Sequence, residues 1–93
     1  MTILKQIILD AIKKEDDYNP NWTETQSFRW LLDTALRSKK YDYEKYGSVY
    51  ALKEFFIGVG IHVPIWTNEI KELGYDDDRY WTDLALTVLR EVD

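Results

Sequence analysis

The 93-residue sequence contains no cysteine, only two prolines and only four glycines. Without cysteine the chain can form no disulfide and has no thiol nucleophile, and we expect the protein to be cytoplasmic, where disulfides are rare. Proline and glycine are scattered, so the sequence shows no linker and no low-complexity segment. No run of about 18 apolar residues occurs, so nothing in the sequence predicts a membrane-spanning helix.

Sequence motifs of catalysis are also missing. There is no HExxH, GxSxG, CxxC or phosphate-binding loop. The single histidine, His62, has no second histidine to share a metal and no serine or cysteine near it. The aspartate run at 76–78 does not fit a calcium loop, because the sixth and twelfth positions are Trp81 and Thr87 rather than glycine and glutamate. We therefore predict a protein that is not an enzyme and that uses no metal and no cofactor.

The clearest positive feature of the sequence is a periodic arrangement of apolar residues. Five segments carry apolar residues at the three- and four-residue spacing of an amphipathic helix, and they span 2–15, 22–39, 48–60, 64–73 and 79–92. The segment 48–60 is the most apolar, with Leu52, Phe55, Phe56 and Val59 on one face, and we expect the others to pack on it. The predicted fold is all-α, a compact single-domain bundle of about five short helices over residues 1–93.

Several residues predict where these helices begin and end. Thr23 and Gln26 have the spacing of a capping box. Ser48 is predicted to cap the central helix, and Gly60 to end it in the left-handed conformation. The other predicted boundary residues are Thr2 and Asp76 as N-caps, Pro64 as a first helical residue and Gly74 as a terminating glycine.

The net charge of −5 is unevenly distributed. Residues 1–67 contain nine acidic and nine basic residues, whereas residues 68–93 contain eight acidic and three basic ones. We predict that this acidic third, residues 68–93, docks on a partner protein that has a basic surface, and that the chain binds neither nucleic acid nor membrane directly. The alternative is an ordinary solvated acidic surface. The predicted partner-binding acidic residues are Glu69, Glu72, Asp76, Asp77, Asp78 and Asp83.

Carboxylates can occupy the positions of phosphates in a positively charged groove. Small, acidic, helical proteins of this kind are similar in general character to phage-encoded inhibitors of host defence nucleases, although no motif assigns this chain to a family. The corresponding hypothesis is an anti-defence phage protein that inhibits by covering the basic nucleic-acid-binding surface of a host defence protein.

Tyr41, Tyr43 and Tyr46 lie in a segment, 40–47, that we predict to be an ordered loop. Tyrosine is favoured at binding surfaces, so these three residues form a second predicted partner-binding site; the alternative is that their rings close over the core. Just before them, Arg37, Lys39 and Lys40 either complement the end of the second helix or form a small anion-binding patch.

Self-association is the alternative function. A homo-oligomeric assembly protein could use surplus aromatic residues as its interface, in particular Trp30, which falls outside the apolar stripe of its helix. The residues predicted for this interface are Trp22, Trp30, Trp66, Tyr41 and Tyr43. A DNA-binding helix-turn-helix is disfavoured, because its recognition segment would carry Glu69 and Glu72 against a single Lys71.

Overall fold

Six helices form in the part of the chain that the computed structural model describes, which is residues 3–38, 40–58 and 60–93. They are α1 (Ile3–Lys13), α2 (Glu24–Arg37), α3 (Tyr43–Tyr46), α4 (Ser48–Ile57), α5 (Asn68–Glu72) and α6 (Asp77–Glu91). No strand occurs in those residues, and the all-α prediction is confirmed. The predicted cap Thr2, Lys39 of the basic group and Val59 of the central stripe lie outside the described residues.

Helices α4 and α6 share the centre of the bundle. Helix α6 packs against α1, α2 and α4, whereas α4 packs against α2, α3 and α6. The radius of gyration is 12.6 Å, close to the roughly 12 Å of a compact domain of this length. Helix α4 is therefore one of two central helices rather than the single one that its apolar character predicted.

The core is built largely from the predicted apolar segments. Phe55 and Phe56 are buried, as predicted. In α6 Tyr80 is fully buried, whereas the neighbouring Trp81, which was expected to belong to the apolar stripe of the segment 79–92, is half-buried. The largest fully buried side chains are Tyr80, Phe28, Ile8, Ile12, Leu31, Leu52, Leu84 and Val88.

Three predicted helix boundaries are confirmed. Thr23 Oγ1 accepts from the backbone N–H of Gln26 at 3.1 Å, and the Gln26 side chain accepts from the backbone N–H of Thr23 at 2.8 Å. Asp76 Oδ1 accepts from the backbone N–H of Arg79 at 2.7 Å and so caps α6. Gly74 follows α5 with a φ of +97°, the conformation that glycine adopts most easily.

Thr23→Ala is expected to lower the free energy of unfolding by about 1 kcal/mol, because it leaves a helix N–H without its cap. Thr25→Ala is the matched control, since Thr25 is exposed in the first turn of the same helix and makes no cap. Urea denaturation followed by circular dichroism measures both. Equal losses in the two variants would contradict a stabilising role for the capping box.

The predicted boundaries of the central helix are wrong. Gly47, with a φ of +92°, occupies the N-cap position of α4, and Ser48 is the first helical residue. The helix ends at Ile57, and Gly60 does not have a positive φ. Gly60 is instead required by packing, because the Phe55 ring occupies the space that a Cβ at position 60 would need.

Two other expectations need correction, and the first of them raises the number of helices from five to six. The segment 40–47 is not only a loop but contains α3, which Asp42 caps by accepting from the backbone N–H of Lys45 at 3.2 Å. Pro64 does not start a helix. Helix α5 begins at Asn68, after Thr67, whose side chain accepts from the backbone N–H of Ile70 at 3.4 Å.

Within the described residues no helix combines the length and the apolar character needed to cross a bilayer.

Candidate protein-docking surface

Two side-chain hydrogen bonds hold the segment before α5 against the start of α6. The buried hydroxyl of Tyr80 donates to the Pro64 carbonyl at 2.7 Å, and the Trp66 indole N–H donates to the Tyr75 carbonyl at 3.1 Å. The Pro64 carbonyl therefore has a hydrogen-bond partner without being in a helix, and residues 61–67 are non-helical. The carboxylates of α5 and those at the start of α6 are thereby carried on one short, doubly anchored unit, residues 64–80.

Five of the six predicted acidic residues are exposed on this unit. Glu69 lies in α5 and Glu72 is its last residue, whereas Asp77 and Asp78 form the first turn of α6 behind the cap Asp76. The first turn of a helix favours negative charge, because its unpaired N–H groups point outward. None of the five forms an ion pair with another residue in the described part of the chain.

Glu69 is held in its charged form. Its carboxylate accepts hydrogen bonds from its own backbone N–H and from the Thr67 hydroxyl, and these lower the pKa of Glu69 below its ordinary value. The negative charge of α5 therefore persists to more acidic pH than that of a free glutamate.

Asp83 differs from the other five acidic residues. It is half-buried, and its carboxylate lies 3.4 Å from the Arg79 guanidinium one turn earlier in α6. Its charge is therefore partly compensated by the same helix, and a partner would have to compete with Arg79 for it.

The negative charge of Glu91 is compensated by a lysine from residues 1–67, the part of the sequence that carries no net charge. Lys5 of α1 binds Glu24 of α2 at 3.0 Å and Glu91 of α6 at 3.1 Å. The hydrogen bond to Glu24, followed by that to Glu91, raises the pKa of Lys5 above its ordinary value. Counting charges along the sequence could not reveal this contact, because its three residues lie far apart in the chain.

Two apolar side chains on the same unit were not predicted as binding residues. Ile65 is 73% exposed and Leu73 is 42% exposed, and both lie in the segment 64–73 that was predicted to form the fourth helix. Because helix formation starts only at Asn68, Ile65 lies outside that helix. The signal in the sequence was Thr67, a good N-cap residue three positions before a buried isoleucine.

The predicted tyrosine site is divided between core and surface. Tyr41 is half-buried and packs edge-on against Phe55, with ring centroids 6.4 Å apart. Tyr43 and Tyr46 are exposed, and the Tyr46 ring lies tilted against the next exposed tyrosine, Tyr50, with ring centroids 4.8 Å apart. The structure therefore brings Tyr46 together with Tyr50, a residue that sequence reasoning did not select.

An open groove of about 370 Å³ lies where α2 leads into α3. Arg37 lines it, but so do Asp42 and Glu44. The mixed charge does not favour an anion, so the groove gives no support to the anion-binding alternative for the basic group.

Most rings in the predicted self-association set make contacts within the fold. Trp22 and Trp30 are half-buried with centroids 5.9 Å apart, Trp66 donates its hydrogen bond to Tyr75, and Tyr41 packs on Phe55. Within this set only Tyr43 is exposed.

His62 lies on the surface with its Nδ1 2.8 Å from a Glu15 carboxylate oxygen. Across residues 3–38, 40–58 and 60–93 no three histidine, cysteine or acidic side chains come together in a way that could hold a metal ion.

Comparison with protein-family models, with curated proteins and with solved structures found no match for this chain. Its function has to be argued from the chemistry of the surface just described.

Proposed function

We propose that the chain is a small protein-binding module that docks on the basic surface of a partner protein through the acidic unit 64–80. The observation that carries this proposal is the pair Asp77 and Asp78, exposed at the end of a helix and without an ion-pair partner among the described residues. Exposed carboxylates with no internal counterion attract a basic partner over about a Debye length and align it.

Ile65 and Leu73 supply the apolar part of the proposed contact. Charge alone gives fast but weak association, whereas most binding energy comes from apolar groups that lose water in the interface. The acidic unit offers both kinds of group within residues 64–80.

The more specific form of the proposal is inhibition. In this form the chain acts in the cytoplasm as a phage anti-defence protein, and its carboxylates stand where nucleic-acid phosphates would bind on a host defence protein. The acidic surface supports competition with a polyanion, and the partner's identity would come from capture on the tagged chain in the native host followed by mass spectrometry.

Asp77→Lys combined with Asp78→Lys is expected to weaken binding to the captured partner by at least about tenfold at low salt, because it replaces attraction with repulsion. Asp76 is left in place, because it caps α6 and its loss would cost about 1 kcal/mol of stability. Calorimetric titration at two salt concentrations measures the binding.

Asp16→Lys combined with Asp17→Lys is the matched control, an exposed pair with the same change of charge outside the acidic unit. We expect its effect on affinity to be less than about threefold. Docking through this unit would be refuted if the two double variants weakened binding equally. It would also be refuted if neither salt nor the change at positions 77 and 78 altered the affinity. A duplex oligonucleotide that fails to displace the wild-type chain would refute only the inhibitor form.

A further inference from the structure

Helix α4 is apolar on two opposite faces. Leu52, Phe55 and Phe56 point into the core, whereas Tyr50 and Ile57 are 41% and 48% exposed. A helix that is apolar on opposite faces is typical of one that is covered on both. The Tyr46 ring, tilted against Tyr50 with ring centroids 4.8 Å apart, extends the outer apolar surface into α3.

The residues on this outer face have a symmetric order. Tyr50 and Ile57 are seven residues apart, so they lie on nearly the same side of the helix, about 10.5 Å from each other along its axis. Midway between them lie Lys53 and Glu54, a cation followed directly by an anion. Neither of these two forms an ion pair with another residue in the described part of the chain.

We propose that the outer face of α4 binds a second copy of the chain, with the two α4 helices antiparallel about a two-fold axis that passes between positions 53 and 54. In this arrangement each Tyr50 lies on Ile57 of the partner subunit, and each Lys53 meets Glu54 of the partner subunit. A two-fold interface must be complementary to itself, and this face is, because an apolar residue meets an apolar one and each charge meets its opposite. A parallel pairing would instead place like charges together.

The charge distribution agrees with this arrangement. Residues 1–67 carry no net charge, so the two copies meet through a neutral part of the sequence although each has a net charge of −5. A ten-residue helix is only about 15 Å long, so the contact falls at the small end of specific interfaces, where association is weak. The dimer is therefore expected at micromolar concentrations.

Sedimentation equilibrium between about 1 and 500 µM is the test, a range suited to a small interface. The wild-type chain should reach the mass of a dimer within this range. Lys53→Glu alone, and Glu54→Lys alone, should each weaken dimerisation at least about tenfold, because each places like charges together twice per dimer. The double variant with both changes should return to within about threefold of the wild type, since it restores both ion pairs with their directions exchanged.

Ile57→Ser tests the apolar contact without a change of charge and should also weaken the dimer. Leu86→Ser is the matched control, because Leu86 is similarly exposed but lies in α6, and it should leave the dimer intact. Circular dichroism establishes that each variant is folded. A wild-type chain that stays monomeric at 500 µM overturns the proposal. A double variant no better than the single ones overturns the antiparallel pairing.

Discussion

Phe55→Ala is expected to lower the free energy of unfolding by about 3–5 kcal/mol, the usual cost of deleting a buried aromatic ring. The ring is only 7% exposed, and it packs edge-on against Tyr41 and against Phe56, at 6.4 and 6.3 Å between centroids. The loss is a large fraction of the roughly 5–15 kcal/mol that stabilises a typical domain.

The environment of Phe55 explains why the site should not collapse around alanine. Gly60 approaches the ring so closely that its own Cα closes one side of the cavity, and the backbone there is fixed by a hydrogen bond from the Gly60 N–H to the Phe55 carbonyl at 2.9 Å. When the walls of a cavity cannot move inward, the variant loses the full free energy of unfolding expected for a cavity of that size. We therefore expect the loss to lie in the upper part of the range.

Urea denaturation of dilute protein measures this change. Leu86→Ala is the control, an exposed side chain on another helix whose removal should change stability by no more than about 0.5 kcal/mol. A loss below about 1 kcal/mol for Phe55→Ala would mean that the ring does not belong to the core.

Sequence patterns predicted the features of the fold that depend on neighbours in the chain. The capping box of Thr23 and Gln26, the cap Asp76 and the glycine Gly74 all act within one helical turn, so their spacing carries the whole signal. The buried stripes were predictable for a related reason, since a helix must turn its apolar side to the core.

Features that depend on distant contacts were not predictable in this way. Pro64 has a conformation that suits the start of a helix, but Tyr80 and Trp66 fix the segment around it in a non-helical form. Gly60 looked like a helix terminator, whereas its role is to make room for Phe55. In both cases a tertiary contact prevails over a local preference.

The same division applies to the candidate docking surface. The excess of acidic residues after position 67 is a property of the sequence, but which carboxylates are compensated is a property of the fold. Lys5 forms an ion pair with Glu91 and Arg79 forms one with Asp83, whereas Asp77 and Asp78 have no counterion among the described residues. The exposure of Ile65 was not predictable, because the helix that was predicted to include it begins only at Asn68.

Above pH 10 we expect the protein to lose stability because of Tyr80. Burial raises the pKa of the Tyr80 hydroxyl from its ordinary value of 10.0 to about 12. A group whose pKa is higher in the folded state contributes stability that is fully present below its unfolded pKa and is lost as the pH rises through the folded value. The loss therefore falls between about pH 10 and 12 and amounts to roughly 3 kcal/mol, at about 1.4 kcal/mol per unit of pKa.

Tyr80→Phe separates this titration from all others. At neutral pH the variant should be less stable than the wild type by about 1–2 kcal/mol, because the Pro64 carbonyl loses its hydrogen bond. Phenylalanine cannot ionise, so the difference should shrink as the pH rises and change sign by about pH 12, where the wild type has lost more stability than its hydrogen bond contributes. Lys5, whose raised pKa also makes its contribution disappear at high pH, is present in both proteins and cancels from the difference.

The measurement is the urea midpoint of both proteins at intervals between pH 8 and 12, with Tyr43→Phe as the control. Tyr43 is exposed, lies outside the proposed dimer face and makes no side-chain hydrogen bond in the described residues, so this variant should follow the wild-type curve throughout. A difference between wild type and Tyr80→Phe that stays constant over the whole range would mean that the Tyr80 hydroxyl is not buried. One of the two hydrogen bonds that hold the segment before α5 against the start of α6 would then be absent, and the proposed docking surface depends on both.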